Sequence, residues 1–271
     1  MRAWLLCLVW GAGLLPSVAG PAKAEDIGAL YQAYAIVTGT DMRQRPWGMA
    51  QCLREVLVKV SGDPLLKDDP RTAELAAHAD RLVASFDYVD MMAGIPKKDD
   101  QGSYDRPHRL TVHFDPAKID STLAELGRQP WRGERPVVVP VLLVQGRKPP
   151  AYVLSAEIPA GAEQRGSLVN AADEFGMKVR LPSEPELASW GAAVEGFRFP
   201  KAAPPDPKPG DAIVAGTLEW SETTPGWIGS WRTRWHGVDH AWGISGVNYD
   251  AAFRDIVRGV VLLASGRGTP D

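Results

Sequence analysis

The stretch WSETTPGWIGSWRTRWHGVDHAW, residues 220–242, holds five tryptophans, against three more in all the chain beyond its first 24 residues. Parity along it decides how it is read. Trp227, Trp231 and Trp235 fall at i, i+4 and i+8, with Gly229 and Thr233 between them, so all five share one face of a strand. Ile228, Ser230, Arg232 and Arg234 take the other face. The segment before it, residues 211–220, puts Ala212, Val214, Gly216, Leu218 and Trp220 on one side. A third short strand is expected over residues 240–244, which makes the whole an antiparallel meander.

Each indole can bury about 150 to 250 Å², and such a row needs an apolar partner. The closing helix over residues 249–264 supplies one, because Phe253, Ile256, Val257, Val260, Val261 and Ala264 form a single stripe. Gly216 and Gly229 are expected to make room for rings on the neighbouring strand. The competing reading makes Trp227, Trp231 and Trp235 a stacking platform for peptidoglycan or another carbohydrate. Thr233 is the only hydrogen-bonding residue among those rings, so core packing is the better reading.

Upstream, residues 200–209 hold five prolines in ten positions and read as an extended insertion. Before that, PVVVPVLLV (residues 136–144) is a continuous apolar run, suited to a strand covered on both faces. Pro140 within it removes a ladder donor, which calls for a bulge or a sheet edge. A helix at 166–175 and a strand at 177–181 complete a β-α-β unit. The boundary is GRQPWRGERP, residues 127–136, where glycine, proline and charge interrupt the pattern.

The block before that boundary reads β-α-α-β-β-α. Residues 31–38 have strand composition. Ala50, Leu53, Val56, Leu57 and Val60 mark one face of a helix, and Gly62 and Pro64 stop it. A second helix is expected at 72–83, a strand at 85–91, an exposed loop at 96–103 and a strand at 109–114. Asp115-Pro116 then opens a helix with a capping carboxylate and a proline at its first position. The fold class expected is α+β: a domain at 25–127, then a small α/β domain at 128–271 carrying the 200–209 insertion.

Residues 1–24 read as an export signal. Arg2 precedes an apolar run to Leu15, and Ala22-Lys23-Ala24 gives a small-x-small cleavage pattern. Without Arg2 and Lys23 the chain keeps 28 basic against 33 acidic residues, a net charge of −5. No basic cluster stands out, which argues against nucleic acid as a partner. No second apolar stretch approaches the roughly 20 residues of a membrane span. Cys52 is alone once the leader is gone and reads as a buried thiol.

Chemistry has few places to reside. His236, Asp239 and His240 form an H-x-x-D-H group at a turn, a weak candidate for zinc because a fourth ligand is missing. Asp63, Asp68 and Asp69 read as an exposed acidic loop. There is no G-x-S-x-G and no phosphate-cradling G-x-x-x-x-G-K-[ST]. No catalytic residue and no cofactor-binding set is assigned.

Several segments together resemble an exported bacterial family catalogued as domain of unknown function 2066. They are YQAYAIVT, CLREVLVKVSGDPLL, RLTVHFDP and PWRGERPVVVPVLLV, followed by DAIVAGTLEW and GWIGSWRTRW. The resemblance implies an envelope location, here the periplasm, and no established activity. The second block is also similar to the small α/β domains of the TolB amino-terminal type. The expectation is a non-catalytic envelope protein that binds another protein. The alternatives are a peptidoglycan binder using the tryptophan face and a metal-dependent hydrolase centred on His236, Asp239 and His240.

Overall fold

A computed structural model describes residues 27–95, 106–197 and 208–270. The leader, the 96–103 loop and all but the last two residues of the 200–209 insertion lie outside the described residues. The chain is a mixed α+β protein with two sheets.

The first sheet has the order β1-β3-β2, from Gln32–Thr38 (β1), Val83–Asp90 (β2) and Pro107–Phe114 (β3), all antiparallel. Helix α1, Arg45–Ser61, covers one face. It buries Cys52, Leu53, Val56, Leu57 and Val60 against Ala33, Ala35, Leu110 and Val112. Each large aliphatic side chain so covered contributes about 1.5 to 3 kcal/mol over leaving it in water. Burial pushes the Cys52 thiol up to about 12, and it packs as a small apolar group. Gly62 ends α1 in the left-handed region at φ 66°, its N–H bonded to the Val58 carbonyl. A Cβ there would lie 2.7 Å from Trp131, so this cap is reserved for glycine twice over, by backbone and by space.

The helix expected at 72–83 is shorter. α2 spans Pro70–Ala76, Ala79–Leu82 is a 3₁₀ turn, and Val83 already belongs to β2. Pairing decides this: Val83 sits opposite Phe114 and Phe86 opposite Val112, and a ladder outweighs local helical periodicity. Helix α3, Pro116–Glu125, begins as its Asp-Pro pair implies. Asp115 accepts from the N–H groups of Ala117 and Lys118, a cap of about 1 kcal/mol.

The second sheet runs β5-β4-β7-β8-β9, with β6 also paired to β4. Its strands are Val137–Gln145 (β4), Tyr152–Val153 (β5), Lys178–Val179 (β6), Asp211–Ser221 (β7), Gly226–Trp235 (β8) and Val238–Val247 (β9). β4 lies parallel to β6 and β7, and the last three strands form the meander. Pro140 causes no bulge. Val138 and Leu142 turn their carbonyls to Arg180 and Leu154, so Pro140, of the same parity, faces that side too. There β6 pairs only with 137–138 and β5 only with 143–144, so the missing donor falls in the gap between two short neighbours.

Helices α4 (Ala162–Glu174) and α6 (Tyr249–Ser265) cover the inner face of this sheet. The short α5, Glu184–Ser189, opens with a Ser183–Glu186 capping box, and its Leu187 packs on the opposite face with Val141, Leu143 and Ala215. The helices of the two sheets meet along a seam, and one continuous cluster of buried residues joins α1, α4 and α6. At one end the seam is closed. Ser265 Oγ donates to the Gly62 carbonyl at 2.9 Å, and the Trp131 N–H to Val60 at 2.8 Å.

Candidate functional site

The tryptophan face is covered by α6. Trp231 is 1% exposed and its indole N–H donates to Asp255 Oδ2 at 3.1 Å. Trp242, directly opposite on β9, donates to the Asp255 carbonyl at 3.2 Å. Trp227 and Trp235 are half-buried, the first edge-on to Trp220 and Tyr249, the second against the His236 ring. The three rings therefore make no open row for a sugar, because the middle one is sealed. Gly216 makes room for Trp231 across the strands, as expected. Gly229 serves the same ring from within its own strand, where a Cβ would come within 2.1 Å of it. Trp242 joins this core because its parity across the turn at 236–237 matches that of Trp231.

His236, Asp239 and His240 do not converge. Strand parity separates them: Asp239 pairs opposite Arg234 on the outer face, while His240 lies opposite Thr233 on the inner one. Asp239 is held in a two-bond ion pair with Arg234, both contacts at 2.7 Å, which keeps its carboxyl below the usual range. Among the described residues no group of three His, Cys, Asp or Glu is placed to hold a metal ion. His236 occupies the first position of a two-residue hairpin turn at φ 47°, followed by Gly237 at φ 82°. Asparagine takes this conformation more readily than histidine. His236→Asn is expected to raise stability by about 0.5 kcal/mol, read as a higher urea midpoint at unchanged slope.

The acidic trio is not simply a solvated loop. Asp63 is 3% exposed, caps the 3₁₀ turn Pro64–Lys67 through the Leu65 N–H, and accepts from Arg128 Nε at 2.5 Å. Asp69 caps α2 through the Arg71 N–H. Each is followed by proline, so the signal that marks Asp115-Pro116 was present here as well.

The outer face of the first sheet is open. Opposite α1, cross-strand pairing sets Ile36, Arg109 and Val89 in one row and Tyr34, Thr111 and Asp87 in the next. Ile36 is 44% and Val89 54% exposed, and no element among the described residues covers them. The Arg109 guanidinium lies 4.8 Å from the centre of the Tyr34 ring, and His113 Nε2 lies 3.6 Å from Asp87 Oδ2. Around the β2 edge a second cluster forms, in which Arg45 stacks on Phe86, bonds the Tyr88 hydroxyl and touches Met42. Among the described residues, ten of the thirteen exposed large apolar side chains fall between Ile27 and Ile95.

Behind α1, the seam carries a buried polar hub. Lys59 is 2% exposed, and its Nζ reaches Glu55 Oε1 at 2.9 Å, Asp173 Oδ2 at 3.4 Å and the Gln32 carbonyl at 3.2 Å. Arg135 lies over the Trp131 ring and donates to the carbonyls of Lys59, Phe175 and Gly176. Two cations thus sit at the C-terminal end of α4, where helix carbonyls lack partners.

Residues 24–132 match a family model described as Domain of unknown function (DUF8605). That span takes in all of the first sheet with α1 to α3, and stops before β4. No curated protein and no solved structure matches the chain. No helix among the described residues is long and apolar enough to cross a membrane.

Proposed function

We infer that this protein is a non-catalytic module of the bacterial envelope, exported to the periplasm, where it binds another protein through the outer face of its first sheet. The exposed Tyr34–Ile36–Arg109–Val89 surface carries this reading. Tyrosine and arginine are what protein interfaces concentrate at their centres. A sugar site would instead set hydrogen-bonding groups among flat rings, and here Trp231 and Trp242 are packed inward. The leader-like residues 1–24 and the resemblance to the exported family 2066 support the location.

The reading is tested by placing a photo-crosslinking residue at Ile36 in intact cells, with the exposed but isolated Val169 as control position. A discrete protein adduct from Ile36 alone is expected. Arg109→Glu should weaken capture of that protein about tenfold or more, since a desolvated interface arginine is worth more than 1.4 kcal/mol. Identical adducts from both positions, or adducts with glycan or lipid only, would overturn the proposal.

A further inference from the structure

Backbone pairing leaves one sheet edge of this chain unguarded. The Gly39 N–H bonds to the Arg106 carbonyl, so the odd-numbered residues of β1 exchange bonds with β3. The even-numbered ones turn their N–H and C=O away from it. Two of the outward carbonyls are taken: Gln32 by Lys59 Nζ at 3.2 Å, and Thr40, just past the strand, by Arg45 Nη2 at 2.9 Å. Between them Tyr34, Ile36 and Thr38 each hold one outward donor and one outward acceptor, with no partner among the described residues. At 3.4 Å per residue this free stretch is about 14 Å long.

The other sheet edges carry devices that keep stray strands away. β2 has a register shift between Val83 and Ser85, and the Arg45 guanidinium stacks on its Phe86. β5 and β6 are two residues long. β9 pairs with a register shift between Trp227 and Gly229, and it carries Asp239 in the ion pair with Arg234. β1, QAYAIVT, runs for seven residues in unbroken register and contains no charge, proline or glycine. Its free backbone groups also adjoin the open face, because Tyr34 and Ile36 point their exposed side chains there.

We propose that the partner docks by strand addition, an extended segment of it pairing along Tyr34–Thr38 as a fourth strand of the first sheet. The proposal rests on the protein-binding reading of the outer face and deepens it by naming what is recognised. Main-chain bonds hold the segment, and its alternate side chains lie beside Tyr34 and Ile36. The class recognised is a proline-free extended segment with apolar residues at every second position. A second copy of this chain fits less well. A two-fold pairing that uses the whole free stretch centres on Ile36 and sets Gln32 opposite Thr40. It would bring Lys59 of one copy against Arg45 of the other, two cations on one edge.

The test alters the free N–H groups and leaves the face intact. Thr38 lies opposite Pro107 at a position without ladder bonds, so Thr38→Pro removes an outward donor only. With the photo-crosslinking residue at Ile36 in intact cells, Thr38→Pro should cut the protein adduct at least tenfold, and Thr38→Val, which keeps the N–H, should not. The Tm of purified Thr38→Pro protein should stay near that of the parent. Hydrogen exchange reads the same edge without a proline. In the adduct isolated from cells, the amides of Tyr34 and Thr38 should exchange at least tenfold more slowly than in the free protein, with Ala35 and Val37 slow in both. Unchanged exchange at Tyr34 and Thr38, or undiminished adduct from Thr38→Pro, would leave docking on the face standing and overturn strand addition. No protein adduct from the parent chain would overturn both readings together. An adduct of two copies of this chain would overturn the partner assigned here.

Discussion

Trp231→Ala is expected to lower the free energy of unfolding by about 4 kcal/mol. The ring is fully covered and two backbone positions, Gly216 and Gly229, are shaped around it, so the vacated space cannot collapse without moving strands. The substitution also removes one of the donors that satisfy the buried Asp255 carboxylate, leaving Arg258 to do so alone. Against the typical 5 to 15 kcal/mol of a folded domain this is a substantial fraction. Urea unfolding should show a much lower midpoint and loss of near-ultraviolet signal before loss of helix. Trp235→Ala, at a half-buried ring, should cost less than half as much. Equal and small effects at both positions would mean that the indoles do not hold this sheet to α6.

Lys59→Met should cost about 3 kcal/mol. It keeps the aliphatic stem but strips Glu55 and the Gln32 carbonyl of their buried donor. Breaking one side of a buried pair costs roughly 3 to 5 kcal/mol, because the partner charge is left uncompensated. The lower end applies because Glu55 keeps 21% of its side chain in water. Adding Glu55→Leu should restore most of the loss, giving a coupling of about 2 kcal/mol in a double-mutant cycle. Additive losses would show instead that Lys59 stabilises the seam through its stem and not through its charge. Because the ammonium also reaches Asp173, the single variant should loosen α4 from α1, visible as faster amide exchange at the end of α4.

Much of the local architecture was legible in the residues. The parity of β3, β7 and β8, the stripe of α6, the glycine stop after α1 and the Asp115-Pro116 cap all follow from backbone geometry, which fixes a period of two for strands and 3.6 for helices whatever surrounds them. Where periodicity and pairing competed, as at Val83, the ladder with β3 prevailed. Of the site residues, the inward burial of Trp231 could be argued from its neighbours. The separation of Asp239 from His240 could have been read from the same alternation, once β9 was known to begin at Val238.

Alternation can say that a face is apolar, but it is silent on which partner meets that face. From the sequence alone, Ile36 and Val37 look equally suited to a core, yet one lies under α1 and the other in solvent. Lys59 reads as a surface lysine near a helix end until α4 arrives from more than a hundred residues away to bury it. Periodicity is a property of single elements, whereas burial, ion pairing and cavities are properties of two surfaces brought together, and only tertiary packing selects the second surface.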